Sequence, residues 1–72
     1  MTWTPADCLD LANQHVLQGE ARCARQRALI EEMKADGQDT TGAENMLRLL
    51  EQSLDLMREH QQRLLQESEK RP

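Results

Sequence analysis

The chain predicts an all-α protein, an antiparallel two-helix hairpin that dimerises into a four-helix bundle. Three observations carry this expectation. The composition has one Trp, no Phe or Tyr, three Gly and two Pro, against abundant Leu, Ala, Glu, Gln and Arg, the inventory of long helices. Two runs of charged and aliphatic residues flank a single interruption, MKADGQDTTGAE at residues 33–44. Within each run the apolar residues recur with alternating spacings of three and four, the mark of a seam that faces another helix. Seventy-two residues make one domain at most, spanning 1–72, and bury a smaller share of their surface than a typical domain does. A second source of burial is therefore expected.

The first helix is predicted over about 5–36. Thr4 can cap it, Pro5 suits the first helical position, and the Asp7 carboxylate can reach back to the cap. Trp3 before the cap and Cys8 inside can pack as a hydrophobic staple. Only Gly19 interrupts the run, at a cost on the order of 1 kcal/mol unless packing needs it. Gly37 is placed to adopt the left-handed conformation that ends a helix, which puts the turn at 37–40. The next helix starts between residues 40 and 42. Either Asp39 caps it, or Thr41 does with Glu44 completing a Thr-x-x-Glu capping box. It runs to about 68, supported by the i,i+4 pairs Glu44/Arg48, Glu59/Arg63 and Arg63/Glu67, and residues 69–72 fray ahead of Pro72.

The seam reads Leu9, Ala12, Val16, Gly19, Cys23, Gln26, Ile30 and Met33 in the first helix, and Ala43, Leu47, Leu50, Leu54, Met57, Gln61 and Leu64 in the second. Gly19, Gln26 and Gln61 are its weak points. So short a connection makes the helices antiparallel neighbours. One flank tests that pairing independently, because antiparallel packing sets Lys34 by Glu44, Arg27 by Glu51 and Glu20 by Arg58. Exposed pairs of this kind contribute about 0 to 1 kcal/mol each, so they select register more than they stabilise.

The other flank sets Leu29 by Met46, Arg22 by Ser53, His15 by His60 and Cys8 by Glu67. Leu49 and Leu56 lie further round this side and extend an apolar surface that the hairpin seam does not use, which marks an interaction site. Two helices give one thin layer of core, rarely enough for independent stability. Doubling the hairpin about a two-fold axis buries Met46, Leu49 and Leu56. In a second use of the surface, the same three residues and the strip Ala21, Ala24 and Ala28 accept an amphipathic helix from another protein. The expected role is thus a small non-enzymatic interaction or scaffolding protein, acting as a homodimer.

Charge and motif content argue against other classes. A net charge of -4 weighs against nucleic acid and anionic membranes as partners, since duplex binding usually shows as a basic face. Arg22, Arg25 and Arg27 with Arg48 are the only basic concentration, and Glu20, Glu31 and Glu51 offset it. They define the alternative of a dimeric, RNA-binding helical regulator. No positively charged leader with an apolar stretch opens the chain, which predicts no signal peptide, and no apolar run approaches a membrane span. Cys8 and Cys23, 15 residues apart on one helix, would be separated by roughly 22 Å and cannot pair there. Reduced thiols in a cytoplasmic setting are the simplest reading, with a disulfide between two chains as the alternative.

Cys8, His15, His60 and Glu67 gather metal-ligating side chains at the open end of the hairpin. Neither a Cys-x-x-Cys pair nor a His-Glu-x-x-His run is present, and Cys8 and His15 lie ~10 Å apart along the helix axis, so no cofactor is expected; an ion bridging His15 and His60 defines the weaker alternative of a metal-binding bundle. For nucleophilic catalysis, no Gly-rich turn presents either cysteine and no second layer forms a pocket. Cys23 on the seam reads as a small core residue.

Residues 24–64, ARQRALIEEMKADGQDTTGAENMLRLLEQSLDLMREHQQRL, resemble a set of short uncharacterised bacterial proteins, mostly alphaproteobacterial. The shared elements are Gly19-Glu20, Arg-Gln-x-x-Leu-Ile at Arg25 to Ile30, and Asp-Gly-x-Asp-Thr at Asp36 to Thr40. Gly42 departs from the pattern, where a helix-favouring residue is expected. The resemblance implies a helical hairpin in a cytoplasmic bacterial setting and carries no activity, ligand or site.

Overall fold

Helix-favouring residues fill both runs, and the structure, a computed structural model, describes residues 5–70. They form α1, Pro5–Ala35, and α2, Thr41–Lys70, with no strand among the described residues. The helices run antiparallel side by side in a body 57 Å long and 18 by 17 Å across. Two contacts at separate levels fix the direction: Lys34 Nζ lies 3.9 Å from Glu44 Oε1 beside the turn, and Arg58 Nη2 lies 3.6 Å from Glu20 Oε1 further along. The third pair expected on this flank, Arg27 with Glu51, does not close into an ion pair, although both residues border the same groove.

The turn is built by backbone rules. Gly37 takes φ of 73°, the region where only glycine avoids a side-chain penalty. Its N–H donates to the Lys34 carbonyl at 3.1 Å, and the Gln38 N–H donates to the Met33 carbonyl at 2.9 Å. This double closure satisfies carbonyls that the end of α1 would leave unpaired. α1 accordingly ends at Ala35, one residue before the expected boundary. α2 begins at Thr41, inside the expected window, and the Thr40 carbonyl accepts its first helical bond, from Glu44 N at 2.8 Å.

Of the two capping schemes, the structure forms the one through Asp39. Asp39 Oδ1 accepts from the Thr41 N–H at 3.0 Å and from the Thr41 hydroxyl at 2.7 Å. Thr41 is therefore a donor to Asp39, and Glu44 turns to Lys34 rather than back along the helix. The two Thr41 donors, the hydroxyl first, hold the Asp39 carboxyl below the usual aspartate value. A depressed pKa stabilises the fold above the unfolded value, and that contribution is lost as pH falls through the folded value. Asp39→Asn keeps an acceptor oxygen but cannot titrate. Acid-titrated thermal unfolding should show a flatter loss of stability below about pH 4 for this variant; an unchanged slope would assign the acid sensitivity elsewhere.

The far end of α2 departs from expectation. Glu69 and Lys70 continue the helix two residues beyond the expected end near 68, because no Gly or Pro occurs between Ala43 and Lys70 to break it. The Thr4 cap, the Trp3 half of the staple with Cys8, and residues 71–72 lie outside the described residues. Gly42, by contrast, sits in the first turn of α2 with open space around its Cα. Gly42→Ala should raise stability by up to about 1 kcal/mol, read as a rise of several degrees in the thermal midpoint. A fall would mean that the first turn needs glycine for a reason other than space.

Every seam position is buried or half-buried. Ala12, Val16, Cys23, Ile30 and Leu54 form the buried apolar core, with Leu47, Leu50 and Met57 packed against its centre. The three weak points have distinct resolutions. Gln26 Nε2 donates to the Ala43 carbonyl at 2.9 Å, and Gln61 Nε2 donates to Asn13 Oδ1 at 2.6 Å, so each amide is paired across the helices. Gly19 is a point of close approach: a Cβ there would sit 3.0 Å from Leu54 Cδ1 and 3.4 Å from Met57 Sδ. The helix propensity lost at Gly19 is offset by the seating of Leu54 against bare backbone.

Candidate functional site

The hairpin has two broad sides, set by which residues flank the seam. On one, Leu17, Ala21 and Ala24 of α1 border an open groove of 550 Å³ with Glu20, Glu51 and Arg58. Arg58 also approaches Asp55 at 3.9 Å, so charges line the α2 wall of this groove. On the other, Leu29 and Met46 border a groove of 430 Å³ shared with Arg22, Arg25 and Leu50.

This division corrects one expectation. Ala21 and Ala24 belong to the charged side, whereas Leu29 and Met46 belong to the opposite side with Arg22 and Arg25. Ala28 follows Ala21 by two helical turns and shares its direction. The alanine strip and the leucines of α2 therefore cannot form one docking surface. The physical reason is angular: the strip lies across α1 from the row that continues into Met46 and Leu49, so no single helix covers both. Arg48 is separated likewise. It stands three residues before Glu51 and seven before Asp55, on their side of α2, away from Arg22 and Arg25.

Among the described residues each helix exposes three large apolar side chains, and those of α2 share one face. Met46 is 49% exposed, Leu49 61% and Leu56 66%. They share a helix face with Asn45, Gln52 and Ser53, all exposed and all uncharged. The charged residues of the same span, Arg48, Glu51, Asp55 and Arg58, point elsewhere. This neutral face lies about 110° round α2 from the seam, at 100° per residue. α1 offers less on this side, since Arg22 and Arg25 occupy its middle, and Leu29 and Leu11 stand towards its ends. Leu11 and Leu17 are further exposed apolar residues, outside the seam and outside the expected contact surface. Both fall off the three-and-four spacing, and a count of leucines outside the seam would have found them.

The metal-ligand candidates do not converge. Cys8 is half-buried, while His15, His60 and Glu67 are exposed, and among the described residues no three His, Cys, Asp or Glu side chains are placed to hold an ion. Cys23 is closed off in the core at 1% exposure, which leaves Cys8 as the thiol within reach of solvent. Among the described residues no helix is long and apolar enough to cross a membrane. Comparison with protein families, with curated proteins and with solved structures returns no match.

Proposed function

We propose that the protein is a non-enzymatic, cytoplasmic interaction module that works as a homodimer, with the neutral face of α2 as its contact surface. The observation that carries this reading is the isolation of Leu49 and Leu56 on an uncharged helix face while the core of the hairpin stays thin. The chain exposes 5743 Å², against roughly 4,600 Å² for a compact monomer of its mass. The surplus, roughly 1,100 Å², exceeds the roughly 800 Å² that each partner buries in a standard interface. A second copy supplies that cover at equal concentration and cures the same shortfall in both chains. Four helices then surround a common core, and the outer surfaces, including the groove beside Ala21 and Ala24, are free to engage helical segments of other proteins.

Sedimentation equilibrium at micromolar concentration tests this directly. The expected mass is twice the 8.3 kDa of the chain. A well-folded species at the single-chain mass would refute the reading.

A further inference from the structure

A two-fold axis makes a specific demand on the residues nearest to it, because each meets its own copy. A charged residue at the axis faces a like charge, so a self-complementary surface must be neutral at its centre and apolar in pairs equidistant from it. α2 meets this demand at one place. Leu49 and Leu56 are equally spaced about the Gln52–Ser53 step, and the exposed face from Asn45 to Leu56 carries no charge. Asn45 and His60 are equally spaced about the same step.

α1 does not meet it. Glu20 is level with Arg58 and Lys34 with Glu44, which sets Arg25 level with Ser53 on the neighbouring helix. An axis through the middle of α1 would bring Arg22 and Arg25 against their own copies. We propose that two chains associate through α2 alone at the centre, antiparallel about a two-fold axis at Gln52–Ser53, with Leu49 of each chain packed on Leu56 of the other. The small Ser53 side chain lets the helices approach at the axis, and the arginines hold the two α1 helices apart. This inference rests on the homodimer reading and adds the place and direction of the contact.

Site-specific disulfide trapping tests it in the full chain. Ser53→Cys is made in a Cys8→Ser background, where Cys23 is buried and does not compete. Gln62→Cys, exposed on the opposite flank of α2, is the control. Under mild oxidation Ser53→Cys should convert to a covalent dimer at least tenfold faster than Gln62→Cys, with unchanged helical content. A dimeric mass for the unsubstituted chain with slow trapping at residue 53, or equal trapping at 62, would overturn the axis and leave the homodimer standing. A single-chain mass with no trapping would overturn both.

Discussion

Leu54→Ala should cost about 2–5 kcal/mol, the range for emptying a buried leucine site, and this is a large share of what a chain of 72 residues has available. At roughly 0.05–0.15 kcal/mol per residue the total is only about 4–11 kcal/mol. Leu54 is 5% exposed, is the one buried side chain of α2 among the described residues, and is the group seated against Gly19. Its removal leaves a void between Val16, Cys23 and the glycine backbone. Backbone cannot relax into that space as a side chain can, which places the expected cost in the upper part of the range. Leu17→Ala is the matched control. At 66% exposure its effect should stay within about 0.5 kcal/mol. Equal losses for the two variants in thermal unfolding followed by circular dichroism would mean that the seam is not the core.

Leu49→Glu combined with Leu56→Glu should abolish the dimer. Both residues are more than half exposed in the single hairpin, and glutamate is as good a helix former as leucine to within a few tenths of a kcal/mol, so the helix itself is spared. At the proposed contact the exchange sets four carboxylates around one axis and removes four apolar side chains. Desolvating even part of that charge raises the dissociation constant on the order of 100-fold or more. Sedimentation velocity should report the single-chain mass at concentrations where the unsubstituted chain is dimeric. Retention of the dimeric mass would place the contact on another face, with the groove beside Leu17, Ala21 and Ala24 as the first to examine.

Much of the fold was legible because each local signal had one solution. The spacing of three and four picked out fifteen seam positions, Leu9 to Leu64, and all of them lose solvent exposure. Gly37 followed by Asp39 specified a left-handed stop and a new start, and the backbone bonds from Gly37 and Gln38 and the Asp39 cap are the outcome. Register was legible in charge, since Lys34 with Glu44 and Glu20 with Arg58 both form. The roles of Gly19, Gln26 and Gln61 were not legible. A glycine or amide in a seam looks like a defect in one dimension. Its partner, Leu54, the Ala43 carbonyl or Asn13, is supplied by the other helix. Which exposed residues share a side was also misjudged for Ala21, Ala24, Ala28 and Arg48. Charge and size vary along the sequence there, whereas the side is set by the angle round each helix.

The central claim is that the hairpin is completed by a second copy, so that folding and association are one process. For such a chain the unfolding midpoint depends on protein concentration, because mass action favours the associated native state. Thermal unfolding across a hundredfold range of concentration is therefore the most direct measurement. The account predicts a midpoint that rises steadily with concentration, and a smaller rise for the Leu49→Glu, Leu56→Glu variant. A single cooperative transition at one temperature throughout would contradict it, and would make the two-helix hairpin a self-sufficient fold.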